Sequence, residues 1–206
     1  MPTLLHLNAS PRGEDSISRQ LSHAAVSAWK TKNPGGKVIE RDLTKTEITF
    51  IDLDWIGGAF ASPEQQTESH KKAIAISDQL VGELLEATDI IIGTPMYNFA
   101  IPAVLKAWID HVVRAGKTFR YSAAGPEGLA KGRKVVVVVA SGGRYDEASG
   151  LSAYNHEIPY LRHILGFIGI TDVTFIQAGG TAQVAQGKIS KDEFLAPQLR
   201  EIEAVV

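Results

Sequence analysis

The amino-acid sequence predicts an α/β fold, a five-stranded parallel sheet with helices on both faces. Two observations carry that prediction. Asp89–Pro95 and Val135–Ala140 are short apolar runs, rich in β-branched residues and without period-two alternation. Such runs suit strands covered on both sides. Strand candidates also alternate with helical patterns along the 206 residues, the order that builds a parallel sheet.

Leu4–Leu7 is the first strand candidate, ending at the turn-rich Asn8–Gly13. A helix follows with Ile17, Leu21, Ala24 and Ala28 on one face, stopped by Asn33-Pro34-Gly35-Gly36. Val38-Ile39 is a second, brief strand, and Thr44–Ala61 shows no regular period. Ser62-Pro63-Glu64-Gln65 has the signature of a helix start, with Ser at the N-cap and Pro in the first helical position. Ile74, Leu80, Leu84 and Leu85 extend that helix to about Ala87. After the strand Asp89–Pro95, residues Pro102–Val113 form a helix with Val104, Leu105, Trp108, Ile109 and Val112 on one side. Val135–Ala140 and Asp172–Ile176 complete the strands, and 156–168 and 191–206 complete the helices. No repeat, low-complexity tract or linker interrupts the series, so residues 1–206 are expected to form one domain.

Composition removes several function classes. Lys and Arg total 21 against 23 for Asp and Glu, a formal charge of −2. No basic excess exists to neutralise a nucleic acid. The absence of cysteine excludes disulfides, thiolate nucleophiles, iron–sulfur clusters and Cys-type zinc sites. No H-E-x-x-H or comparable cluster suggests a metal site. The longest clean apolar run, Val135–Ala140, is far short of the roughly 20 residues that span a bilayer. Met-Pro-Thr-Leu-Leu-His lacks the basic and apolar regions of a secretory signal, so a cytoplasmic location is expected.

In an open parallel sheet, ligands bind beyond the C-terminal strand ends. Three loops there carry suitable chemistry. Ser10–Ser18 offers hydroxyls and the free amides of a helix start, a natural anion cradle. It matches neither a P-loop nor G-x-G-x-x-G. Taken alone it could be a plain N-cap. Pro95-Met96-Tyr97-Asn98-Phe99-Ala100-Ile101-Pro102 offers apolar faces and an amide edge to a large flat ligand, or could merely plug the sheet end. Ser141-Gly142-Gly143-Arg144-Tyr145 lets the backbone approach a planar ring, or is an ordinary turn. Three such loops at one edge are harder to explain as accidents.

At these residues the chain resembles the bacterial FMN-dependent NAD(P)H:quinone oxidoreductases and azoreductases, whose fold is flavodoxin-like and doubly wound. Pro95-Met96-Tyr97-Asn98-Phe99 corresponds to that family's P-M-Y-N-F motif. Arg114–Tyr121 with Gly125-Pro126-Glu127-Gly128-Leu129 is similar to its R-A-G-x-T-F-x-Y…G-P-x-G-L stretch, and Phe167–Ile170 to its F-x-G-I turn. Together these cover residues 3 to about 180. The resemblance implies FMN bound at a homodimer in which both subunits shape each site. It implies that Ser10, Ser16, Ile17 and Ser18 hold the phosphate. Pro95, Met96, Tyr97, Asn98 and Phe99 line the ring, with Asn98 on its polar edge, and Ser141, Gly142, Gly143 and Arg144 cover the pyrimidine side. Many relatives read S-R-G-G where this chain reads Ser141-Gly142-Gly143-Arg144, which leaves the direction of the guanidinium open. Phe119 and Tyr121 are the implied acceptor-pocket residues. The implied reaction is a two-step hydride relay from NADH or NADPH through FMN to a quinone or azo compound. No side chain forms a covalent bond in it; Asn98 and the Gly142 and Gly143 amides tune the ring.

Rival readings follow from single residues. His6 is expected in the core and His111 in a structural or interface position. His156 and His163 are expected at the surface or an interface, and His23 and His70 in solvent. Asp110 with Arg114 at i+4 suggests a helix-surface pair. Trp29, Trp55 and Trp108 are packing residues. A flavodoxin-type electron carrier would be shorter and strongly acidic. A phospho-acceptor switch would need acids where Asn8-Ala9-Ser10 and Thr94-Pro95 stand. A redox-sensing flavin module is the remaining alternative.

Overall fold

The computed structural model describes residues 1–206. Five parallel strands form the central sheet: β1 (Thr3–Asn8), β2 (Lys37–Asp42), β3 (Asp89–Pro95), β6 (Lys134–Ser141) and β7 (Asp172–Gly179). Their spatial order is β2-β1-β3-β6-β7, and every neighbouring pair is parallel. A separate antiparallel hairpin, β4 (Phe119–Ser122) and β5 (Gly125–Gly128), projects from the chain between β3 and β6.

The strand runs are apolar on both faces because both faces are covered. Leu5, Leu7, Ile90, Ile92, Val135, Val137 and Val139 point to one side. There they meet α3 (Glu68–Glu86), α4 (Ala103–Val112) and α5 (Glu157–Phe167). Leu4, Ile91, Val136, Val138 and Ile176 point to the other, against α1 (Ile17–Lys32) and α7 (Lys191–Val205), the latter preceded by the one-turn α6 (Ala182–Ala185). The parity change at each residue is the strand period.

Helix α1 buries Ser18, Leu21, Ser22, Ala25, Val26 and Trp29. Its inner stripe is thus rotated from the predicted one, leaving Ile17, Ala24 and Ala28 half-buried. Of the two serines in that stripe, Ser18 meets Ser16 and Ser22 faces a polar pair. His6, fully buried on β1, holds the Glu40 carboxylate through Nδ1 at 2.6 Å, and its Nε2 lies 3.0 Å from Ser22 Oγ. That hydrogen bond keeps the Glu40 carboxyl below its ordinary range.

Residues 44–61, without a period in the sequence, contain α2 (Leu53–Phe60). Asp52 caps it, accepting from the Trp55 amide at 2.7 Å. Ser62-Pro63 does not start the following helix. It opens a 3-10 turn over Pro63–Gln65, and Ser62 makes no capping bond. The helix α3 begins at Glu68, where Thr67 Oγ1 accepts from the His70 amide at 3.2 Å. A proline after serine presets a turn as readily as a helix, and only the Thr67 hydroxyl reaches an amide of the longer helix.

His70 is not free in solvent as expected. Its ring packs over Gly57, and its Nδ1 is buried without a partner. His23, His156 and His163 are exposed. His111 is buried: its Nδ1 accepts from Trp55 Nε1 at 3.3 Å, and its Nε2 lies 2.8 Å from the Thr49 carbonyl oxygen. All three tryptophans are buried. Asp110 pairs with Lys106 at 2.5 Å instead of Arg114. Because α4 ends at Val112, Arg114 lies off the helix surface. Its guanidinium turns inward to Ser77 Oγ at 2.7 Å and over the Trp55 ring.

Candidate flavin site

The loop after β1 is tied down at both ends. Ser16 caps α1, its Oγ accepting from the Arg19 amide at 3.4 Å and lying 3.2 Å from Ser18 Oγ. Ser10, Ser16 and Ser18 are all buried. Arg19 reaches back to the Ser10 carbonyl through Nε at 2.8 Å and Nη2 at 2.6 Å, and also binds Asp42 Oδ1 at 2.8 Å. One guanidinium thus links the loop to the edge strand β2. The first amides of α1 have no intrahelical acceptor, as at any helix start.

The second loop contains the chain's two non-glycine residues at positive φ, Asn98 at 49° and Phe99 at 69°. Tyr97 and Ala100 exchange both backbone hydrogen bonds across them, at 2.9 and 3.0 Å. Two consecutive left-handed residues closed this way make a type I′ turn, which suits Asn and strains Phe. Such strain persists only where its surroundings enforce it. Here the His156 amide donates to the Phe99 carbonyl at 3.0 Å. The Phe99 ring packs against Tyr145 and Tyr154, each 5.6 Å between centroids.

The start of α5 also holds the loop's beginning. Thr94 Oγ1 donates to Glu157 Oε1 at 3.0 Å. Glu157 is fully buried, and its other carboxyl oxygen has no partner. Burial pushes this carboxyl up to about 8, so it is neutral at pH 7.

The third loop is zipped to a fourth that sequence reasoning did not include. The Gly180 amide donates to the Ser141 and Gly143 carbonyls, and the Ala182 amide to the Gly142 carbonyl. Ser141 is buried and its Oγ donates to the Gly143 carbonyl at 2.8 Å. Arg144, whose direction the sequence left open, turns to Asp146 at 2.9 Å.

These loops enclose a cleft of about 360 Å³, within the range of small-molecule sites. Ser10, Ser16, Ile17, Ser18, Pro95, Met96, Tyr97 and Gly142 line it. Asn98, Phe99, Ser141, Gly143 and Arg144 stand in the adjoining loops but not on its wall. Phe119 and Tyr121 lie elsewhere, on the β4–β5 hairpin. Phe119 borders a second cavity of about 240 Å³ with Ile51, Trp55 and Phe60, and its ring meets Tyr121 edge-on. The wall also includes Arg12, Asp15, Ala140, Thr181, Val184, Ala185 and Lys191. Thr181 to Ala185 follow Gly179-Gly180 at the end of β7. The same strand-end rule that picked the other loops points there.

The donor set fits a phosphorylated flavin. Buried hydroxyls and free amides meet at a helix start, which suits an anion. Met96 and Tyr97 offer flat apolar contact. A Cβ on Gly142 would meet nothing within 4 Å, so that backbone is open to close approach.

Comparison with known proteins agrees with this geometry. Residues 2–204 match the family described as having a flavodoxin-like fold. An FMN-dependent NADH:quinone oxidoreductase of Burkholderia lata is 49% identical over 195 residues, 95% of this chain and 91% of that protein. The crystal structure of an azoreductase from Bacillus anthracis strain Sterne superposes with a TM-score of 0.89 at 32% identity, covering 100% of this chain and 98% of the other. An FMN-dependent NADH-azoreductase from Bacillus anthracis strain Ames Ancestor, solved in complex with FMN, superposes with a TM-score of 0.87 at 26% identity, covering 99% and 97%. The expected five-stranded parallel sheet with helices on both faces is the one found, and the chain belongs to the flavodoxin-like family of FMN-dependent NADH:quinone oxidoreductases and azoreductases.

Proposed function

We propose that this protein is an FMN-dependent oxidoreductase that takes hydride from NADH or NADPH and delivers it to quinones and azo compounds. The observation that carries the reading is the convergence of the α1 serines, the Pro95–Tyr97 turn and Gly142 on one cleft. Bound FMN supplies the hydride-accepting and hydride-donating ring in this chemistry. The chain's residues hold and orient it. Ser10, Ser16, Ser18 and the amide of Ile17 take the phosphate. Met96 and Tyr97 give the ring a flat apolar support, and the open backbone at Gly142 faces its polar edge. Asn98, Phe99, Ser141, Gly143 and Arg144 belong to the site as the loops that shape it. With one acceptor place serving two substrates in turn, the kinetics are ping-pong.

The active form in this proposal is a homodimer. Phe50, Leu53, Phe60 and Tyr121 are 79%, 86%, 74% and 75% exposed, Phe60 borders the second cavity, and Tyr121 packs on Phe119 at its edge; exposed large apolar side chains of this kind mark an interaction surface. Burying that patch against a second copy is what would carry Phe119 and Tyr121 toward the partner's cleft as acceptor contacts. No helix is long and apolar enough to cross a membrane. A one-domain chain in the cytoplasm, where the nicotinamide nucleotide diffuses freely, completes the proposal.

The test is an absorbance spectrum of purified protein, then anaerobic titration with NADH and NADPH and turnover with benzoquinone. A flavin spectrum that bleaches with either nucleotide and recovers with quinone is expected. Bleaching only in the presence of a partner protein would make the chain an electron carrier. Bleaching without turnover would make it a redox-sensing module.

A further inference from the structure

The phosphate end of the cleft has a charge imbalance that its serines do not address. A phosphate monoester carries about −1.5 to −2 at pH 7, whereas hydroxyls and amides are neutral donors. Three charged side chains line the cleft: Arg12, Lys191 and Asp15. Neither cation enters an ion pair within the chain. Arg144 and Arg120, by contrast, are tied to Asp146 and Glu127.

Lys191 stands where the fold has no use for it. It is the first residue of α7, between the N-cap Ser190 and the acids Asp192 and Glu193. A cation in the first turn opposes the helix dipole, while the two acids complement it. Half-buried on the cleft wall, it has no acceptor of its own. A ligand anion at that end of the cleft would turn this local cost into a gain.

We propose that Lys191, assisted by Arg12 on the same cleft wall, is the counter-charge for the flavin phosphate, and so makes the protein select FMN over riboflavin. The inference rests on the flavin reading above and names a specificity determinant within it. Asp15 limits the effect by leaving a net single positive charge on the wall.

Riboflavin is the discriminating probe, because it keeps the ring and lacks the phosphate. Full-length wild type, Lys191→Gln and Arg12→Gln are titrated with FMN and with riboflavin by flavin fluorescence, at low and at high salt. A charged hydrogen bond is worth enough that Lys191→Gln should weaken FMN about tenfold. Riboflavin should be unaffected. Added salt should weaken FMN less in the variant than in wild type. Equal losses for both flavins, or no loss for either, would overturn the proposal. So would an unchanged FMN affinity with a raised KM for NADH, which would assign the lysine to the nucleotide's diphosphate. Wild type that binds neither flavin would instead refute the flavin reading itself.

Discussion

Ser18 and Glu157 are both fully buried polar residues beside the cleft, and they answer to different forces. Ser18 has one side-chain neighbour, Ser16 Oγ, so removing its hydroxyl orphans little. Ser18→Ala should cost no more than about 1 kcal/mol of stability while weakening FMN retention on gel filtration; undiminished flavin content would remove Ser18 from the phosphate site. Glu157 is under strain from desolvation alone. Its carboxyl is raised from 4.5 to about 8, so below pH 4.5 it is neutral folded or unfolded and costs nothing. Between those values the unfolded chain gives up the proton and the folded one keeps it, so stability falls as pH rises. Above pH 8 the loss is complete. Glu157→Gln cannot ionise. Its stability relative to wild type should therefore rise by a few kcal/mol from about pH 5 to pH 8, read by urea unfolding across that range. Parallel pH profiles would show that the carboxyl does not titrate in this window.

At the level of elements, the contact between α2 and α3 shows why part of the chain was readable and part was not. A Cβ on Gly58 would stand 2.7 Å from the His70 carbonyl oxygen and from Ile74 Cγ2. Gly58→Ala should therefore separate the two helices and cost about 1–3 kcal/mol, seen as a lowered Tm. An unchanged Tm would mean that the helices can part freely. Those glycines are also what hid α2, because two of them in an eight-residue helix erase both propensity and period. The long runs of β3 and β6 were legible for the opposite reason, since nearly every residue in them is buried and must be apolar. The first three loops of the cleft announced themselves by hydroxyls, aromatics or paired glycines. The fourth, Gly179–Ala185, carries a glycine pair and the Thr181 hydroxyl at a strand end, so its signal was present but overlooked, whereas Lys191 joins the wall only through tertiary packing. Asp110 had possible partners four residues away in both directions. Only the point where α4 stops decides between them.

On the scale of the whole molecule, the proposed dimer rests on the exposed apolar side chains Phe50, Leu53, Phe60 and Tyr121. Phe60→Asp places a charge at the rim of the second cavity, on a residue the sheet does not depend on. The variant should run as a monomer by light scattering, with native circular dichroism and sharply reduced quinone turnover. A dimer that survives the substitution would put the interface on another surface. Phe119 and Tyr121 lie apart from their own cleft, so this experiment also asks whether the acceptor site is built from two chains. The clamp of Arg19 on the Ser10 carbonyl and Asp42 has a different reach. A loop moored in this way has less freedom to give up when its guest arrives. Loading of the cofactor would then call for little further ordering of the segment between β1 and α1.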